Sequence, residues 1–177
     1  MRITAPAAGA TLALASTLGS GGQAMAAELT IEVAIPRLDV AEYHKPYLAV
    51  WLEAVDAEAT VPLAVWYDLH MADGEGRKWL KDLRQWWRHI GRSLEMPADG
   101  ISGATRPPGE HEIRFDDGAA PLADLPAGEY ALVVEAAREV GGREILRLPL
   151  SWPPAAPATE IAEGSHELGR VRLDVTP

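Results

Sequence analysis

The chain contains no cysteine. That excludes a disulfide framework and any thiolate-held metal or iron–sulfur centre. It leaves the compartment open, because exported proteins often lack disulfides. Positive charge is also scarce, with 16 Lys and Arg against 26 Asp and Glu and a formal net charge of −10. A nucleic-acid surface needs clustered basic side chains, so this balance argues for a soluble, freely diffusing acidic protein instead. No apolar run is long enough to span a bilayer. There is no Gly-rich phosphate loop, which argues against noncovalent dinucleotide binding. Neither a Ser-His-Asp signature nor a specific paired-carboxylate pattern occurs.

The remaining composition is that of a globular chain. Its 177 residues, 47 % of them hydrophobic, suit one domain with an ordinary core. Residues 1–27 read as a cleaved secretory signal. Arg2 is the only charge before Glu28, Ala7 to Leu18 is a short Ala/Leu-rich stretch, and Gly19-Ser20-Gly21-Gly22 breaks it. Ala24-Met25-Ala26 then offers small side chains to a signal peptidase, with cleavage expected after Ala26 or Ala27. Neither a twin arginine nor a lipobox cysteine accompanies it, so the expected product is a periplasmic protein of residues 28–177.

That mature chain reads mostly as strands. Leu29, Ile31, Val33 and Ile35 alternate with Thr30, Glu32 and Ala34 until Pro36. Two further runs put Leu48, Val50 and Leu52 on one face, then Val61, Leu63, Val65 and Tyr67 on another. At Trp79, Leu80, Leu83, Trp86, Trp87 and Ile90 the period becomes helical, predicting an amphipathic helix over 77–90 closed by Gly91 as its C-cap. Alternation resumes at His111, Ile113 and Phe115, at Tyr130, Leu132, Val134 and Ala136, from Glu144 to Trp152 after a Gly141-Gly142 hairpin turn, and at Val171, Leu173 and Val175. A Pro/Ala-rich loop, Pro153 to Ala158, is expected before the last strand. About seven strands with one inserted helix describe a mainly β, immunoglobulin- or fibronectin-like sandwich. Leu125-Pro126-Ala127-Gly128-Glu129-Tyr130 resembles the tyrosine corner of such folds, in which the hydroxyl closes the preceding loop.

A sandwich implies no function, so function must come from a local site. Residues 93–109 form a connection long enough to suggest one. Within it, Asp99-Gly100-Ile101-Ser102-Gly103-Ala104-Thr105 sets a threonine hydroxyl behind small residues, with glycine permitting a tight backbone turn. Pro107-Pro108 keeps the following backbone extended, and Arg106 puts a positive charge directly after Thr105. Ser-Gly-Ala-Thr arises by chance in such a chain roughly a few times in a thousand, and Asp99 lowers that by about another order of magnitude. The match therefore outweighs a turn of small residues.

This run resembles the recognition motif of covalently flavinylated bacterial proteins, among them the C subunit of the sodium-translocating NADH:quinone oxidoreductase. The resemblance implies that FAD:protein FMN transferase, an exported magnesium enzyme, attaches FMN to Thr105 through a phosphodiester. Asp99, Ser102, Gly103 and Ala104 match the positions before the acceptor. More widely, Ile35-Pro36-Arg37-Leu38, Glu42-Tyr43-His44-Lys45-Pro46-Tyr47, Leu63 to Tyr67, Lys78-Trp79-Leu80 and Asp99 to Gly109 are similar to a predicted periplasmic domain-of-unknown-function family. That family is associated with the flavin transferase and with PepSY-type membrane reductases, which implies extracytoplasmic electron transfer with a membrane-bound reductase as partner.

Candidates to hold the flavin ring are Trp86 and Trp87, adjacent on the expected helix and about 100° apart, with Trp79 beside them and His44 in the polar-aromatic cluster. Core packing is the ordinary reading of tryptophans at this spacing. Arg84, Arg88 and Arg92 read as a solvated face that could also meet the flavin phosphate. Asp68, His70 and Asp73 lack the spacing of a familiar metal motif and read as a solvated turn. An electron carrier is thus expected, ahead of a flavin-dependent reductase with its own substrate. A flavin-free binding or structural module, presenting exposed Trp side chains to a carbohydrate or protein, is the other alternative.

Overall fold

A computed structural model describes residues 27–177; the expected leader, apart from Ala27, lies outside the described residues. The chain forms a β-sandwich with a third, helical layer. Strands β1 (Glu28–Ile35), β5 (Gly109–Asp116), β8 (Ala158–Glu163) and β9 (Arg170–Thr176) make a four-stranded sheet in the order β5-β1-β9-β8. Strands β2 (Tyr47–Ala54), β3 (Thr60–Tyr67), β4 (Ser102–Ala104), β6 (Gly128–Ala137) and β7 (Arg143–Trp152) make a five-stranded sheet in the order β4-β3-β2-β6-β7. All pairings are antiparallel except the parallel pair of β3 with β4.

The inter-sheet core follows the period-two pattern. Leu29, Ile31, Val33 and Ile35 of β1 meet Val171, Leu173 and Val175 of β9 and the inward residues of β2 and β6, Leu48, Val50, Leu132 and Val134 among them. At the start of β6 the Tyr130 hydroxyl donates to the Pro126 carbonyl at 2.8 Å, closing the expected tyrosine corner. Nine strands stand where about seven were expected. The two extra ones, β4 and β8, carry no apolar alternation: β4 is three small residues, and β8 is an edge strand exposed along almost all its length.

One face assignment changes within β3. Val50 pairs with Ala64 but Trp51 pairs with Pro62, which leaves Leu63 as an extra residue in a β-bulge. Leu63 and Ala64 therefore both enter the inter-sheet core, and Trp66 follows them there. Val65 and Tyr67 turn to the opposite, outer face rather than sharing a side with Leu63.

That outer face of the five-stranded sheet is apolar too. Ala49, Trp51, Val65, Tyr67, Val133 and Ala137 are buried beneath Leu80, Leu83, Trp86, Ile90 and Met96. The covering segment is not the single helix expected over 77–90. Ala72–Asp82 winds as 3₁₀ turns with Asp73 and Gly74 at positive φ, and a separate short helix α1 spans Arg84–His89, followed by a 3₁₀ turn at Gly91–Ser93. The break has a visible cause. Glu135 of β6, fully buried on the outer face, accepts the amide of Trp86 at 2.8 Å and that of Gln85 at 3.1 Å, and pairs with Arg143 at 2.8 Å. In a continuous α-helix those two amides would bond to carbonyls one turn back. The carboxylate claims them and starts a new helix. Gly91, expected as a C-cap, instead makes room for the Trp86 ring: a Cβ there would stand 2.4 Å from a ring carbon.

Two expectations follow for stability. Glu135→Ala orphans two amides and leaves Arg143 unpaired, and should lower the unfolding free energy by about 2–4 kcal/mol in urea titration. Tyr130→Phe, which removes only the corner hydrogen bond, should cost about 1 kcal/mol by the same measurement.

Candidate functional site

Residues 93–109 are not a simple open loop. Strand β4 docks in parallel along β3, with Ser102, Gly103 and Ala104 opposite Val65, Trp66 and Tyr67. The Thr105 amide continues this ladder, donating to the Tyr67 carbonyl at 3.0 Å. Just upstream, the Ser102 hydroxyl accepts the Ala98 amide at 2.9 Å while the Ser102 amide donates to the Ala98 carbonyl at 3.1 Å. This clasp closes the turn that carries Asp99 and Gly100, and Gly100 sits there at φ 79°, where glycine is favoured. Asp99 is exposed at its tip.

Gly103 has a packing duty within β4. Its φ is ordinary for a strand, but a Cβ on it would come within 2.9 Å of Cδ1 of buried Trp66. Trp66 is also flanked by the His111 ring, edge-on at 5.8 Å, and by the Arg106 guanidinium at 5.2 Å from its centroid. The same indole thus braces the residues before and after Thr105. Arg106 is exposed and takes part in no ion pair among the described residues. A cation held over an indole in this way keeps its charge and is not neutralised by a carboxylate.

Thr105 itself is half-buried and lines a cavity of about 280 Å³. The cavity lies at the end of the five-stranded sheet where β2 begins and β3, β4 and β6 finish. Tyr43 and His44 come to it from the connection before β2, Tyr47 from the first position of β2, Trp79 from the 3₁₀ segment and Arg138 from the β6–β7 hairpin. His44 stands between Glu42 at 3.2 Å and Glu139 at 3.6 Å. Tyr47 donates to the Gly76 carbonyl at 3.1 Å and packs edge-on against Tyr67. Burial pushes the Tyr47 hydroxyl up to about 12 and raises that of Tyr43, so both remain protonated donors near neutral pH. The Arg138 guanidinium is held by Glu167 at 2.9 and 3.1 Å, a pair with little solvent exposure.

The sequence candidates divide accordingly. Thr105 and His44 share the cavity, while Ser102, Gly103 and Ala104 support Thr105 from the strand before it. Trp86 cannot face a ligand: it is fully buried between α1 and the sheet. Trp87 is half-buried against the same cluster. Trp79, the third member of that group, is 43 % exposed and on the cavity. Arg88 and Arg92 lie with Glu53 and Arg147 around a separate basin at the far end of β2, roughly 20 Å along the strand from Tyr47. Of Asp68, His70 and Asp73, only Asp68 reaches the cavity; among the described residues no group of three or more side chains is arranged to hold a metal ion. Sequence reasoning missed Tyr43, Tyr47 and Arg138. The signal for the first two was the Glu42 to Tyr47 cluster itself, in which only His44 was singled out.

A family model described as "Predicted periplasmic protein (DUF2271)" matches residues 28–170, and the chain belongs to that family. No curated protein and no solved structure matches it. No helix among the described residues is long and apolar enough to cross a membrane.

The fit of Gly103 against Trp66 gives a direct test. Gly103→Ala must displace a buried ring and should cost about 1–3 kcal/mol in unfolding free energy. The same substitution should alter the near-ultraviolet circular dichroism of the tryptophans.

Proposed function

We propose that this member of the predicted periplasmic family is an electron-transfer protein carrying FMN covalently on Thr105. The observation that carries the reading is the setting of the Ser102-Gly103-Ala104-Thr105 run. Thr105 follows directly on a pinned strand, is half-buried, and lines a cavity rich in aromatic side chains. Those residues suit a flavin. Tyr43 is a protonated donor, Trp79 is exposed on the cavity lining, and Arg106 next to the acceptor offers a positive charge to a phosphodiester.

Attachment is a phosphoryl-group transfer with FAD as co-substrate. The Thr105 hydroxyl oxygen forms a bond to the FMN phosphorus of FAD. The bond from that phosphorus to the bridging oxygen breaks, AMP leaves, and the hydroxyl proton passes to the transferase's base. Nothing is oxidised or reduced. The chain contributes a fixed backbone, since the Thr105 amide is bonded to Tyr67, and little side-chain bulk before the nucleophile. Bound FMN supplies reversible uptake and release of electrons. The partners are then FAD:protein FMN transferase for maturation and a membrane-bound reductase for electrons. Export suits both, because the transferase acts outside the cytoplasm. Of the two expected cleavage points, the one after Ala26 keeps Ala27, which is buried in the core and accepts the Asp117 amide at 2.9 Å.

Co-expression with an FMN transferase tests the reading by intact mass and in-gel flavin fluorescence. The wild-type chain should gain one FMN less one water, and Thr105→Ala should gain nothing while keeping its circular dichroism. An unmodified wild type, or an increment that survives Thr105→Ala, overturns it.

A further inference from the structure

Six tryptophans occur in the chain. Trp51, Trp66, Trp86 and Trp152 are buried and Trp87 is half-buried. Trp79 alone is exposed, and its ring borders the Thr105 cavity. Met71, also exposed, lines the same opening, so the apolar surface here is contiguous rather than scattered. Inside, the Tyr43 hydroxyl is buried without a hydrogen-bond partner among the described residues. A buried hydroxyl left unpaired costs desolvation with no return, and Tyr43 is a lining residue of the cavity, so a modest shift of its ring would give the hydroxyl a ligand acceptor.

The hairpin beside the cavity adds strain to this picture. Val140 holds φ 53° although β-branched, and is 84 % exposed. Neither feature serves packing. Its neighbour Arg138 is instead locked by Glu167, whose carboxylate also accepts the Gly142 amide at 2.7 Å. The turn is thus held so that Arg138 and Glu139 stay at the cavity, with the strain carried at Val140.

We propose that this cavity is the seat of the flavin ring, with Trp79 stacked on the face of the isoalloxazine and Tyr43 donating to its polar edge. The assignment rests on FMN being attached at Thr105, and it places the ring on Trp79 rather than on Trp86 or Trp87. A tricyclic, electron-poor ring matches an indole face, and the carbonyl oxygens at its edge match the protonated Tyr43 hydroxyl. The cavity, about 280 Å³, falls just below the usual size range for small-molecule sites. It suits a flat ring entering edge-first, with the ribityl chain and phosphate outside near Thr105 and Arg106.

The test uses the full chain matured by co-expression with the transferase, comparing wild type with Trp79→Leu, Trp79→Phe, Trp87→Leu and Tyr43→Phe. Intact mass reads attachment; flavin emission and its quenching by iodide read seating. Indole stacking quenches flavin emission, so the wild type should be dim and poorly reached by iodide. Trp79→Leu should retain the flavin mass and shift the seated-to-free ratio by roughly two- to tenfold toward the bright, iodide-accessible form. Trp79→Phe should lie between, Trp87→Leu should match wild type, and Tyr43→Phe should change the flavin absorption band without loss of mass. A full flavin mass with unchanged emission and accessibility in Trp79→Leu overturns the seat and leaves attachment standing. Absence of the mass increment in wild type overturns attachment, and the seat with it.

Discussion

A single buried carboxylate, Glu135, sets the arrangement of the third layer. A charge with no solvent exposure on an apolar sheet face must be met by donors. Here the donors are the first amides of α1 and the Arg143 guanidinium. That requirement fixes where α1 begins, and so which side of Trp86 and Ile90 faces the sheet. The 3₁₀ segment ahead of it is fixed independently. Gly76 lies so close to the Asp68 carbonyl that a Cβ would overlap it, and its own carbonyl accepts the Tyr47 hydroxyl. Between these two anchors the chain turns Leu80 and Leu83 inward and leaves Trp79 at the opening. The cavity therefore owes Trp79, though not Tyr43 or Tyr47, to the interrupted winding of this segment.

The second determinant is the bulge at Leu63. One extra residue reverses the facing of the rest of β3, sending Trp66 into the inter-sheet core. From there its indole packs under Gly103, beside His111 and beneath Arg106. The small residues before Thr105 thus answer to two demands at once. Packing against Trp66 requires glycine at 103, and closure of the preceding turn uses the Ser102 hydroxyl. Modification at Thr105, as proposed, needs the same absence of bulk. A rigid, slender strand end serves both needs better than a free loop, because it presents the hydroxyl without a large ordering cost.

How much of this was legible follows from how local each signal is. Strands β1, β6 and β9 were readable because one face of each meets the inter-sheet core, and alternation reports that directly. The tyrosine corner was readable because its partner lies four residues away. The third layer had a signal that alternation hides: Tyr47 to Ala54 and Tyr130 to Ala137 are apolar at both parities, as strands covered on both faces are. Strands β4 and β8 left no trace, since three small residues and an exposed edge have no apolar period. Helical spacing correctly picked Leu80, Leu83, Trp86 and Ile90 as buried. It missed the winding, because the competing acceptor, Glu135, is some fifty residues away in the chain.

Membership of the predicted periplasmic family, the sandwich and the run of small residues before Thr105 are all written in local spacing and residue type. Backbone geometry and the burial of one face turn such patterns into strands and turns. Which tryptophan stays exposed, which tyrosine hydroxyl is unpaired among the described residues and which arginines stand far from Thr105 are long-range outcomes. They depend on a bulge that reverses one strand and a buried charge that interrupts one helix. Both act between segments distant in the chain, where periodicity carries no information.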